Sequence, residues 1–479
     1  MTALSAQIEL VKRAMPMRLT GRVAALRGLT VVVNDLPLPV GAMVQVESPD
    51  GQTSSFENTR GEIVGFRDGQ AVVMMLGSAS GVRPGDRVVG LQRWQTVNVG
   101  SGLLGRCIDA LGRPIDSLGV VLDTTPRPLD PPPLGPMGRE RITAPMYTGV
   151  RAVDLMTTIG RGQRLGIFSG PGVGKSTLLS SIAKNAKCDV AVLALVGERG
   201  REVKDFIEIA LGVEGLKRSV VVASTSDESP LMRLRAALTA TTVAEYFRDQ
   251  GKNVLLLVDS VTRFAHAQRQ IGLSVGEPPT TKGYTPSVFA ALARLLERAG
   301  GVEATPGKPA GSITGLYTIL VEGDDMTEPI ADAARGILDG HIILSRRLAQ
   351  KSHFPAIDVL DSISRVADSI CDAAHIAARR QVMRLLAAYR DVEDLVQIGA
   401  YARGSSPQAD VAIAYHQRVL ELLQQAGSEV EPFESGRSRM VKLALESGNV
   451  MNSPPRQAPT GNSGQSPSGS QARSGGSGR

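Results

Sequence analysis

The sequence predicts a multidomain α/β protein: a small N-terminal β-barrel, a central domain with a mostly parallel sheet, a helical C-terminal domain and a disordered tail. Three observations predict it. Short β-rich runs fill the first hundred residues, apolar strands alternate with amphipathic helices through the middle, and a helical period takes over after Arg365. A length of 479 residues exceeds one ordinary domain, and 42% hydrophobic against 21% charged residues can fill substantial cores.

Residues 1–16 come first. Leu4, Ile8, Val11 and Met15 fall on one helical face and Pro16 ends it, so an amphipathic helix is expected. Residues 17–100 carry runs such as "GRVAAL", "LTVVVNDL" and "QAVVMML", separated by turns at Asp50-Gly51, Asp68-Gly69 and Pro84-Gly85-Asp86, the pattern of a β-barrel domain. Residues 101–148 read as a linker because of the proline-rich "TPRPLDPPPLGPMG". In residues 149–365, "RLGIFS", "DVAVLALVG", "SVVVAST", "NVLLLVD", "SITGLYTILV" and "GHIILS" are near-continuous apolar strands with helical segments between them, which predicts a parallel sheet covered on both faces. Residues 366–451 read as helical. Residues 452–479, rich in Ser, Gly and Pro and without an acid, read as disordered.

Composition narrows the function classes. The longest apolar run, Val190–Val196, is far below the roughly 18 residues that span a bilayer. Glu9 and Lys12-Arg13 break any N-terminal signal, and three scattered cysteines suggest neither a disulfide framework nor a metal knuckle, so the cytoplasm is expected. Of the +6 net charge, half comes from Arg456, Arg473 and Arg479 in the tail. That leaves no basic stripe for a nucleic-acid groove. The five histidines lack metal-ligand spacing.

The chemistry gathers around "GIFSGPGVGKSTLL". Ser169, Gly170, Pro171, Gly172, Val173, Gly174, Lys175, Ser176 and Thr177 match a phosphate-binding loop, with Ser169 where the strict motif has glycine. That position ends a strand and has only to be small. Backbone N–H groups and the following helix cradle phosphate, Lys175 reaches the β- and γ-phosphates, and Ser176 ligates Mg²⁺. Asp259 ends the apolar strand "NVLLLVD", where an acid holds the Mg²⁺ shell, and Glu198 ends "LALVGE", placed to polarise the attacking water. The expected cofactors are therefore ATP and Mg²⁺.

"GIFSGPGVGKST", "GERGREV", "VDSVTRFA" and "HFPAIDVLDSISR" together resemble the catalytic subunits of rotary ATP synthases and the flagellar and virulence export ATPases related to them. The resemblance covers roughly residues 20–440. It implies a RecA-like P-loop domain in a homohexameric ring with sites between subunits. It also implies that Glu198 is the catalytic carboxylate with Arg199 beside it near the γ-phosphate, that Arg263 is a catalytic residue just beyond Asp259, that Arg365 is an arginine finger for the neighbouring site, and that Phe354 lies against adenine. The implied partners are a regulator on the N-terminal helix, a stalk protein in the pore, a membrane export gate and substrate–chaperone complexes, at the cytoplasmic face of the inner membrane. The flagellar branch is the first expectation and a virulence secretion ATPase the alternative. A ring RNA helicase would need stacking aromatics in the barrel, where only Phe56 and Phe66 occur between Met17 and Asp86, so no nucleic acid is expected. A nucleotide-gated adaptor without turnover would not need the full set of charged groups.

Overall fold

The computed structural model describes residues 19–47, 59–92 and 95–452, except 308, 322, 324 and 428. The expected helix over residues 1–16 and the tail beyond Asn452 lie outside the described residues. Six strands, β1 (Thr20–Arg27), β2 (Thr30–Asn34), β3 (Met43–Glu47), β4 (Arg60–Arg67), β5 (Gln70–Met75) and β6 (Arg87–Gln92), close into an antiparallel barrel in the order β1-β2-β5-β4-β3-β6. Its interior is branched and tightly buried: Val31, Val33, Val44, Ile63, Val73 and Val88 are each fully excluded from solvent. Closure removes the edges that short strands would otherwise expose.

Eight of the central sheet's ten strands follow one another in spatial sequence. They are β14 (Ile357–Ser364), β13 (Gly340–Leu344), β8 (Arg164–Ser169), β12 (Gly311–Leu320), β11 (Asn253–Asp259), β9 (Val190–Glu198), β10 (Ser219–Thr225) and β7 (Cys107–Ile108). All pair in parallel except β14, which runs antiparallel to β13. The run "VAVLALV" shows why such strands read as continuously apolar. Val190, Val192, Ala194 and Val196 enter the core on one face, and Ala191, Leu193 and Leu195 enter the core on the other.

On the first face lie α2 (Pro230–Arg248), α3 (Val261–Val275), α4 (Pro286–Leu296) and α5 (Pro329–Ile337). On the second lie α1 (Lys175–Asn185) and the C-terminal bundle of α6 (Ala373–Gln397), α7 (Pro407–Leu423) and α8 (Phe433–Asn452). Residues 101–148 are more than a tether, since Cys107–Ile108 extends the sheet beside β10. Two residues are too short to show a period. The edge strand β14 was equally hidden: "IDVLDSIS" mixes acids and apolar residues because one side faces solvent.

The barrel is fastened to the central domain by a buried ion pair. Arg235 on α2 donates to Glu62 at 3.1 Å, and both side chains are more than nine-tenths buried. Burial raises the Glu62 carboxyl above its ordinary range, against the lowering effect of Arg235.

Candidate active site

The loop between β8 and α1 places the predicted phosphate cradle at the carboxyl ends of the parallel strands. Gly172 (φ 76°) and Gly174 (φ 89°) occupy the left-handed region, where a side chain would be strained. Val173 is 2% exposed and pins the loop from below. Gly174 immediately precedes α1, so the first backbone N–H groups of that helix open toward the cleft without intrahelical acceptors. The Ser169 hydroxyl is buried and has no hydrogen-bond partner among the described residues.

Lys175 from the loop forms an ion pair with Asp259 at the end of β11. The same Asp259 oxygen accepts from the Thr318 hydroxyl at 2.7 Å. Glu198, at the end of the neighbouring β9, is 6% exposed. Its Oε2 accepts from Arg263 at 3.3 Å, and Arg263 also donates to the Gly197 carbonyl. Ser260 caps α3 through the Arg263 N–H at 3.3 Å, which fixes where Arg263 leaves the helix. Burial first, and then the charge of Asp259, push the Glu198 carboxyl up to about 7, against Lys175 and Arg263. Its other oxygen, Oε1, is buried with no partner among the described residues. A carboxylate with one unbonded oxygen at the wall of a cleft is suited to accept a proton from water.

Two cavities that share lining residues form the cleft. The first, about 510 Å³, is bounded by Ser176, Glu198, Glu202 and Asp259. The second, about 290 Å³, is bounded by Leu178, Phe354, Pro355 and Gln425–Gly427. Thr177 and Ser181 line both, so one elongated ligand with an anionic end and a flat apolar end fits across the P-loop. Phe354 is 47% exposed, and a methyl group on Gly174 would sit 3.6 Å from its ring. Among the described residues no group of three or more acidic, His or Cys side chains could cage a metal. A cation at Ser176 and Asp259 would therefore complete its shell with phosphate oxygens and water, the usual arrangement for Mg²⁺.

Two predicted residues stand apart. Arg199 is 75% exposed in its side chain and, among the described residues, pairs with Glu202 at 3.7 Å. Arg365 follows β14 at the opposite end of the sheet from the P-loop. Its N–H donates to Asp339, whose N–H donates to Arg164, and Ser169 lies five residues further along β8. At about 3.3 Å per residue, roughly 17 Å of strand separates Arg365 from its own phosphate loop. Its side chain is exposed and has no ion pair among the described residues.

The sequence reading missed Thr318 and the segment Gln425–Gly427. The first had a signal, a hydroxyl within the fully buried "GSITGLYTI". The second had none, because its contact with Phe354 exists only once the C-terminal bundle docks. Thr318→Val should lower kcat by about tenfold and raise the Mg²⁺ concentration for half-maximal rate, because a hydrogen bond to a charged group is worth ~1.5–3 kcal/mol. An unchanged Mg²⁺ titration would remove Thr318 from the site.

Comparison with known proteins matches the same three segments. Residues 27–92 match the ATP synthase alpha/beta family beta-barrel domain, 149–364 that family's nucleotide-binding domain, and 371–442 the T3SS EscN ATPase C-terminal domain. The chain belongs to the ATP synthase alpha/beta family. Within the family, it is 47% identical over 423 residues to the flagellum-specific ATP synthase of Pseudomonas aeruginosa, covering 88% of this chain and 92% of that one. It is also 47% identical to the type 3 secretion system ATPase of Xanthomonas euvesicatoria, covering 87% and 92%. Among solved structures, the assembled ATPase EscN from the enteropathogenic E. coli type III secretion system superposes with a TM-score of 0.80 at 41% identity, covering 88% of this chain and all of that one. EscN is also known in complex with its central stalk EscO, at a TM-score of 0.79.

Proposed function

We propose that this chain is the ATPase that energises flagellar, type III protein export, hydrolysing Mg-ATP as a homohexamer at the cytoplasmic face of the export gate. The observation that carries the catalytic reading is the convergence of Lys175, Asp259 and Glu198 on one cleft at adjoining strand ends. Lys175 is paired with Asp259. Binding of ATP exchanges those partners, turning Lys175 to the β- and γ-phosphates and freeing Asp259 for the metal. Mg²⁺ held by Ser176 and Asp259 would neutralise charge on the phosphate oxygens. Glu198, steadied by Arg263, takes the proton of the attacking water. The half-buried aromatic face of Phe354 receives the base, and Arg199 remains on the open side of the cleft.

The site is incomplete in one copy. Arg365 is exposed and without an ion pair among the described residues, with roughly 17 Å of strand between it and its own loop, and this supports a role in a neighbour's site. The similarity to an assembled secretion ATPase supports a ring, and a stalk protein then fits the pore. The N-terminal segment, residues 1–16, is the docking element for the regulator that delivers the ATPase to the membrane gate and to substrate–chaperone complexes. Deleting residues 2–15 should abolish co-purification with that regulator while leaving basal ATPase activity intact. Retained co-purification removes that role.

The deciding experiment is deletion of the gene. Loss of swimming, restored by the parent and not by Lys175→Ala, is the expected result. Intact motility with lost effector secretion would favour the virulence reading, which the Xanthomonas relative supports at the same identity as the Pseudomonas one.

A further inference from the structure

One wall of the second cavity comes from the C-terminal domain. Gln425, Ala426 and Gly427 form the wall facing Phe354, Val150 and Leu178. They follow the end of α7, whose last carbonyls have no intrahelical donors. The Glu421 carbonyl accepts from Arg439 at 3.4 Å, and a guanidinium from the central domain serves the Leu422 and Gln424 carbonyls. Arg151, 6% exposed, donates through Nε to the Leu422 carbonyl at 2.7 Å and through Nη2 to the Gln424 carbonyl. Its Nη1 donates to Glu429 at 2.9 Å and to Glu431. A cation at a helix C-terminus is favoured by the dipole as well as by the bonds.

The neighbouring bonds close the turn around this point. The Arg151 N–H donates to Gln425 Oε1 at 2.7 Å. Gln425 Nε2 donates to the Gly149 and Glu429 carbonyls, each at 2.9 Å. The Gln425 N–H donates to the Phe354 carbonyl at 2.9 Å. The wall and the aromatic plate are thus tied together, and the wall is tied to the central domain through Arg151. Arg151 itself does not line the pocket.

We propose that Arg151 is a positioning residue for the base half of the nucleotide site: by capping α7 it sets the Gln425–Gly427 wall against Phe354 and so sets affinity for ATP without touching the triphosphate. This rests on the ATPase reading above. Lysine cannot replace it, because a compact ammonium cannot serve two carbonyls and two carboxylates in a planar fork.

The test compares ATP with inorganic tripolyphosphate, which has the anionic end and no base. In Arg151→Lys, KM for ATP should rise by about tenfold while kcat holds and the inhibition constant of Mg-tripolyphosphate stays at the parent value. Glu431→Gln keeps the carbonyl bonds and removes one charge, so it should move KM in the same direction by less; it decides the matter if Arg151→Lys does not fold. An unchanged KM in both variants overturns the proposal. So does an equal weakening of ATP and tripolyphosphate, which would mark Arg151 as a general structural residue. A parent chain without ATPase activity would sink the underlying reading instead, which keeps the two failures distinct.

Discussion

Glu198→Gln is expected to lower kcat by about 10²–10⁴-fold, the range for removing a general base, with KM for ATP little changed. The amide keeps the shape and the Arg263 contact but cannot take a proton. The pH profile carries the sharper signature. Burial and the Asp259 charge lift the Glu198 carboxyl to about 7, so the rate should climb through neutrality as the group ionises and the acidic limb should vanish in the variant. A metal beside Asp259 offsets part of that charge, so with Mg-ATP bound the limb should lie at or below about 7. Stability moves the opposite way. The folded state holds this proton more tightly than the unfolded chain, whose carboxyl titrates near 4.5. The contribution is full below 4.5 and is lost as pH rises through about 7. Ligand-free Glu198→Gln should therefore melt higher than the parent above neutrality. Parent-like turnover in the variant would remove Glu198 from the mechanism.

Arg365→Ala should cost about 10³–10⁵ in kcat, the range for an arginine finger, while ATP binding to the isolated chain stays near that of the parent. The separation of about 17 Å between Arg365 and its own phosphate loop excludes action within one chain. A mixing experiment follows. Lys175→Ala lacks the loop cation and Arg365→Ala lacks the finger, so each alone is inactive. Combined, a ring contains boundaries where an intact loop meets an intact Arg365, and activity should reappear. Two inactive variants that stay inactive when mixed, although each assembles with the parent, would refute action across the boundary. Arg199 provides a contrast, because its exposed side chain has only a weak partner in Glu202.

Much of this chain was legible before any coordinates because its signals are local. The P-loop glycines, the acids at the ends of "LALVGE" and "NVLLLVD", and the all-apolar strands follow from backbone freedom, strand direction and burial on two faces. Elements without a local signal were not legible. Cys107–Ile108 joins the sheet by pairing with a strand more than a hundred residues away, and "IDVLDSIS" is an edge strand whose outward residues hide its period.

The sequence by itself pointed to Lys175 as the cation of a glycine-rich loop and to acids ending two strands beside it. Only the tertiary structure decided that Glu198 is buried beside Asp259, that Thr318 donates to Asp259, that Arg365 lies at the other end of the sheet from its own loop, and that Arg151 fastens the Gln425–Gly427 wall from another domain. The reason is physical. Residue type and spacing fix a side chain's chemistry and local direction, whereas burial, pKa and reach depend on what long-range packing brings against it.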